Sequence, residues 1–253
     1  MIQKLWHYIL GSQKNDFSDF ISQLNEIYKH APVDFGGGCS YEKALTLAFL
    51  IKNYNLKNSA DIGVYRGRSL FPQSLSHKIN TNGIAYAIDP YDSIAAIQVD
   101  RQDIQDKLIE FVQQTNFNII YEEIKNIVDK FNLKDNTIFI REKSHDAAEY
   151  FRAKNIKLGL VHIDGNHDTK FVMQDVYDYI TLLDEHAFII LDDITWESVK
   201  PAYDYLRKHL IHVGECVNTN NDYAVFTNTH KSNSDLVMEC RNLINTIKKH
   251  VKN

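Results

Sequence analysis

From residue 59 onward, short apolar runs alternate with longer segments of helical spacing. The runs at 59–64, 84–89, 136–141, 158–163, 187–192, 211–217 and 222–227 are rich in β-formers and bounded by polar or turn residues. Strands buried on both faces of a sheet read this way. Between them, apolar residues recur at helical intervals over 67–79, 94–131 (broken around Asn116–Asn118), 145–154, 169–184 and 196–209. In the fourth of these, Phe171, Val172, Val176, Tyr179, Ile180 and Leu183 carry the period. Strand, helix, strand in this order forms right-handed βαβ units. The last two runs are joined only by the polar turn Asn218-Thr219-Asn220-Asn221, which predicts an antiparallel hairpin at the sheet edge. The pattern predicts one α/β domain with a doubly wound, mainly parallel sheet of seven strands.

Two flanks lie outside the alternation. Leu5 to Lys29 reads as one or two helices, and Gly36-Gly37-Gly38 interrupts it. Triple glycine confers backbone freedom that a static connector does not require. Ser40 is placed to cap a helix reaching about Tyr54, with Ala44, Leu45, Ala48 and Ile51 on one face. At the other end, residues 234–252 form a helix with Leu236, Val237, Cys240, Leu243, Ile244 and Ile247 apolar. That face has two available homes, its own domain or a partner subunit in a homodimer.

The ends of two neighbouring runs carry the first candidate chemistry. Leu158–Ile163 is followed by Asp164-Gly-Asn-His167, and Phe188–Leu191 by Asp192-Asp193. In a βαβ unit both strand ends emerge on one edge, and adjacent strands lie about 4.8 Å apart. Asp164, Asp192 and Asp193 then converge, and carboxylates that close repel one another unless a cation lies between them. An all-oxygen set suits Mg2+ or Mn2+. A single Asp at such a turn is as readily a helix N-cap; it is the trio that favours an ion. A second signal sits after the first run, where Asp61-Ile-Gly63-Val-Tyr65-Arg-Gly67-Arg-Ser69 opens a helix. Glycines there allow a tight turn and a close approach of ligand to helix N–H groups. The spacing is not G-x-G-x-x-G, which disfavours a nicotinamide dinucleotide. The second run ends in Asp89, where a carboxylate can hold the hydroxyls of a ribose. Together these features point to a nucleoside-containing cofactor.

Composition narrows the partners. The chain has 253 residues, 44% of them hydrophobic, and a net charge of −5 without a basic stripe, which argues against a nucleic-acid footprint. Cys39, Cys216 and Cys240 are odd in number and widely spaced, suggesting neither a disulfide framework nor a zinc site. The first residues are too short and polar for a signal peptide or membrane span, so a cytoplasmic location is expected.

Taken together, Ala60–Ser69, Ala85-Tyr-Ala-Ile-Asp-Pro90, His162-Ile-Asp-Gly-Asn-His167, Asp175 and Ile189–Ile194 resemble the class I S-adenosylmethionine-dependent methyltransferases over roughly residues 36–228. The later motifs are similar to a bacterial subgroup of metal-dependent sugar O-methyltransferases of antibiotic and surface-polysaccharide pathways. The resemblance implies a sheet order 3-2-1-4-5-7-6, a helical lid over residues 1–55 on the cofactor side, a cofactor-binding core over 56–228 and a terminal helix over 234–253. It assigns S-adenosylmethionine to Asp61, Gly63, Tyr65, Gly67, Ser69 and Asp89, with Ser144 near the adenine; Lys143 stands where relatives often have an acidic residue. Asp164, Asp192 and Asp193 would hold the ion. His167 lies three residues beyond Asp164, where catechol-type relatives carry a catalytic lysine. Imidazole at that place can take the acceptor proton, or can simply pack at the helix start.

Other assignments stay open. His162 is expected to be a hydrogen-bonded core residue, His145 a pocket or capping residue, and Trp196 and Tyr41 either substrate-wall or core aromatics, with core favoured for Trp196. The expected acceptor is a hydroxyl of a sugar or nucleotide-linked sugar. Another small polar metabolite, or a non-catalytic protein that binds the cofactor, are the alternatives.

Overall fold

The computed structural model describes residues 14–34, 38–102, 104–217, 222–229 and 234–251. Most of the glycine run and the turn at 218–221 fall outside them, as do residues 5–13 of the expected first helix. The elements in chain order are α1 (Lys14–Tyr28), α2 (Tyr41–Asn53), β1 (Asn58–Ile62), α3 (Leu70–Ile79), β2 (Ile84–Ile88), α4 (Gln105–Gln114), α5 (Phe117–Lys130), β3 (Thr137–Ile140), α6 (Ser144–Lys154), β4 (Leu158–Ile163), α7 (Thr169–Ile180), β5 (Leu183–Asp192), α8 (Lys200–His209), β6 (Ile211–Cys216), β7 (Tyr223–Thr227) and α9 (Ser234–Val251).

The seven strands lie in the order β3-β2-β1-β4-β5-β7-β6, as expected. β1 through β5 pair in parallel, and β7 runs antiparallel to both β5 and β6. Successive residues on a strand face opposite sides, and the two layers sort accordingly. Leu160, Phe188 and Ile190 join the layer that includes α1, α2, α3, α5 and α9. Val161, Ile189 and Leu191 join the layer of α6, α7 and α8. The central strands therefore have no solvent-facing side, which is why they read as mainly apolar runs, broken by buried polar residues such as Asp61 and His162.

Several helix boundaries differ from the sequence expectation, among them the start of α8 at Lys200 instead of 196. Residues 94–102 are turns, bends and irregular chain rather than the start of a long helix. Ile94 is 78% exposed there, because the segment is held by polar bonds described below instead of by an apolar face. α7 ends at Ile180 and β5 begins at Leu183, so Leu183 belongs to the strand and not to the helix.

The terminal helix takes the first of its two homes. α9 packs on β6 and α2, burying Val237, Cys240 and Ile244. The Cys240 thiol lies 2.9 Å from the Tyr54 hydroxyl, and Ile244 packs on Gly214. Among the described residues no helix is long and apolar enough to cross a membrane.

Candidate active site

The turn after β1 sits directly on the end of β4, and glycine makes this possible. Gly63 has φ of +84°, and a Cβ there would lie 2.1 Å from the Asp164 carbonyl oxygen. No other residue permits so close an approach in this conformation. Gly67, at φ +77°, likewise lets the turn close over Phe71. Between them Tyr65 is itself left-handed, at φ 44°. Its amide donates to Asp89 Oδ2 at 3.0 Å, while the Tyr91 amide donates to Asp89 Oδ1 at 2.7 Å. Asp89 thus fastens the ends of β1 and β2 together. Burial pushes its carboxyl above the usual range, against the pull of those amides.

Asp61 and Ser69 meet beneath the turn. The Ser69 hydroxyl donates to Asp61 Oδ2 at 2.8 Å, and His162 Nδ1 lies 2.7 Å from Asp61 Oδ1. All three are buried, so His162 is the hydrogen-bonded core residue expected of it. Farther round, Ser144 donates to Asp175. Burial raises that Asp175 carboxyl to about 7. His145 pairs with Asp178 at 2.8 Å, its side chain 56% exposed.

The carboxylate trio does converge. His167 Nε2 lies 3.4 Å from Asp164 Oδ1 and 3.2 Å from Asp193 Oδ2. The third member, Asp192, reaches the cluster from below and contacts the ammonium of Lys43, which is also 3.4 Å from Asp164 Oδ2. The electrostatics are those of crowding. Burial works against ionisation of Asp164, but Lys43, His167 and His162 outweigh it and hold that carboxyl well below its ordinary range. Burial and the neighbouring Asp164 charge push Asp192 up. Burial raises Asp193 to about 6 despite His167. His167 is raised overall, its burial outweighed by Asp164 and Asp193.

These residues fit a divalent cation. Asp192 Oδ1 and His162 Nε2 are buried with no hydrogen-bond partner among the described residues, and His167 Nε2 meets only the Asp164 and Asp193 carboxylates. Orphaned atoms of this kind need an explanation, and an ion is one. Asp164, His167 and Asp193 each offer a ligand atom within 4.8 Å of the others, and so do His162, Asp164 and Asp192. A set dominated by carboxylate oxygen suits Mg2+ or Mn2+.

A wall over this cluster comes from residues 95–101. Asp168 accepts from the amides of Val99 and Asp100, each at 2.8 Å, and Asp100 Oδ2 accepts from the Thr169 amide at 2.8 Å. Asn166 donates to the carbonyls of Ala95 and Ile97 at 3.1 and 2.8 Å. Gln98 then lies 3.4 Å from His167 Nδ1. Trp196 packs at 4.8 Å from the His167 ring, with the Arg101 guanidinium 3.8 Å above its own ring. Trp196 is half-buried: it packs on the edge of the core while its ring meets His167 and Arg101 at the site. Tyr41 is half-buried and packs on the edge of the core.

Sequence reasoning missed Lys43, Asn166, Asp168 and Arg101 as parts of this site. Lys43 gave no local signal in the sequence; only the structure shows that residues 42–51 of α2 are all buried, and a lysine in a helix with so little free surface requires a partner.

A family model described as "Methyltransferase domain" matches residues 60–194, just over half of the chain and the whole stretch from β1 to the carboxylate pair. The chain belongs to this methyltransferase family. The fold of the methyltransferase is shared by solved structures of low identity. An O-methyltransferase from Bacillus cereus, in complex with SAH, aligns with TM-score 0.56 at 11% identity, covering 89% of this chain and 96% of that one. The O-methyltransferase TomG from Streptomyces achromogenes, involved in tomaymycin synthesis and solved with SAM, gives 0.57 at 10%, covering 90% and 96%. The O-methyltransferase NovP gives 0.60 at 12%, covering 79% and 84%. No curated protein sequence matches the methyltransferase.

Proposed function

We propose that this methyltransferase is an S-adenosylmethionine-dependent, divalent-metal-dependent O-methyltransferase. Its acceptor is a hydroxyl of a sugar or nucleotide-linked sugar, in surface-glycan or natural-product biosynthesis. The observation that carries the reading is the convergence of Asp164, Asp192, Asp193 and His167 beside the Gly63 turn, with buried donor atoms left unsatisfied. Two of the aligned O-methyltransferases were solved with SAM or SAH, which supports the same cofactor here. In this reading the Gly63, Tyr65 and Gly67 turn and Asp89 contact the cofactor, and Ser144 lies toward the adenine. Asp61 and Ser69 brace the turn from beneath.

Asp164, Asp192 and Asp193 would hold the Mg2+ or Mn2+, which when bound lowers the pKa of an alcohol and stabilises its anion. The rest of the chemistry belongs to the protein. The packing of the turn on Asp164 places donor and acceptor compartments side by side, as an in-line transfer requires. His167 is the group positioned to take the hydroxyl proton. Trp196 offers an aromatic face on which a carbohydrate ring can pack. Any homodimer would use a surface other than the face of α9 buried in its own domain.

The direct test is incubation with S-adenosylmethionine and a panel of nucleotide sugars, read by mass for one added CH2, with and without EDTA. The expected outcome is a metal-dependent gain on one nucleotide sugar. Full activity after exhaustive EDTA treatment would refute the metal. Methylation confined to non-carbohydrate hydroxyls would refute the acceptor class. Stabilisation on heating by SAH, but not by NAD(H), checks the cofactor independently of the acceptor.

A further inference from the structure

Lys43 stands at an unfavourable place for a cation. It occupies the first turn of α2, where Ser40 caps the helix and accepts from the Lys43 amide at 3.0 Å. The positive end of the helix dipole repels an ammonium there, and complete burial of the side chain adds a desolvation cost. Both are offset only by Asp192 and Asp164, which lie 149 and 121 positions away in sequence. The charge count is informative. Asp164, Asp192 and Asp193 carry three negative charges when ionised, and Lys43 cancels one. The remainder matches a divalent ion. Lys43 lies on the Asp192 side of the cluster, leaving Asp164 Oδ1 and Asp193 Oδ2 facing each other across His167.

We propose that Lys43 is a permanent cation of the active site whose charge offsets one carboxylate, so that the metal-loaded cluster would be electrically neutral. An acceptor hydroxyl then loses its proton beside a neutral cluster, not a negative one. Without Lys43 the same loaded cluster would keep a net negative charge and oppose that ionisation. The inference rests on the metal-assisted reading above, and the test separates the two.

Mn2+ is titrated into the purified protein, with free ion followed by electron paramagnetic resonance, for wild type, Lys43→Met and Lys43→Arg. Wild type is expected to bind one Mn2+. Lys43→Met should bind it at least roughly tenfold more tightly, because a like charge a few Å from the ion is gone. It should also show a larger rise in melting temperature on adding Mn2+. Lys43→Arg, which keeps the charge, should restore near-wild-type affinity. A purely structural lysine predicts the opposite sign, since a disordered cluster binds more weakly; weaker or unchanged affinity in Lys43→Met overturns the proposal. Binding by Lys43→Met alone would support Lys43 as the resident cation while removing the metal from the wild-type reaction. Binding by neither protein overturns both readings. If Lys43→Met does not fold unaided, Lys43→Gln carries the same expectation, and failure of Mn2+ to rescue both variants counts against the proposal.

Discussion

A single buried carboxylate and a partly buried trio sit at neighbouring strand ends and behave differently. Beneath the glycine turn, Asp61 has both oxygens engaged, by Ser69 at 2.8 Å and His162 at 2.7 Å. At the ends of β4 and β5, three carboxylates share one ammonium and one imidazole, and Asp192 Oδ1 has no hydrogen-bond partner among the described residues. A carboxylate whose bonds close on its neighbours is a brace. A cluster that cannot satisfy itself from its own chain holds its geometry for something that arrives. In sequence both are an Asp at the end of an apolar run; only the partner count separates them.

The comparison breaks most decisively at Asp193. Asp193→Ala is expected to abolish methyl transfer while SAH binding, measured by calorimetry, stays within a few fold of wild type. Its folding stability should be unchanged or slightly higher, because it relieves like-charge crowding. Loss of SAH binding in that variant would erase the distinction between the two groups. His167→Ala should lower kcat by roughly 10²–10⁴, the range for a positioned acid–base group, with a much smaller change in KM. An enzyme keeping most of its kcat would move the proton to a carboxylate.

Asp61→Ala should show the reverse profile. Removing one member of a closed buried network leaves His162 and Ser69 unpaired, at a cost of about 3–5 kcal/mol. Denaturant melts would register it, and any loss of activity should follow from a weakened cofactor turn. A stable Asp61→Ala protein would mean that this network is not a brace.

The smallest effect concerns a buried imidazole at the opposite end of β1. His77 lies 3.0 Å from the Ser59 hydroxyl, and burial depresses its pKa to about 4. Its folded value is below the unfolded one of about 6.5, so the unfolded chain binds the extra proton first as pH falls. This contribution is full above about pH 6.5 and declines toward pH 4, by at most about 3 kcal/mol. His77→Gln should flatten stability across that window. An identical acid dependence in the variant would assign the decline elsewhere.

The strands were legible because parallel strands buried on both faces cannot hide their apolar runs, and their order followed from the family resemblance. Asp164, Asp192 and Asp193 were legible for a related reason: strand ends in a βαβ unit share an edge. Lys43 was not, since nothing local reports where a flexible side chain on a distant helix ends. Residues 94–104 misled for another reason. Ile94, Ile97, Ile104 and Leu108 carry helical spacing, but the amides of Val99 and Asp100 are taken by Asp168, a partner far along the chain. Tertiary hydrogen bonds overrode the local period.

The rear of the glycine turn has a consequence for modularity. Asp34 accepts from the Tyr65 hydroxyl at 2.9 Å and from Arg66, while the Tyr28 hydroxyl donates to the Arg68 carbonyl at 2.7 Å. Arg68 in turn donates to the Ala31 carbonyl at 2.7 Å. All of these restraints, like Lys43, come from residues before the stretch 60–194 that defines the family. A transplant of that stretch onto a foreign leading segment would carry the recognisable motifs yet lose the clamp on the turn and the ammonium in the cluster. For this protein the unit that recombination could exchange without damage is larger than the unit that similarity outlines.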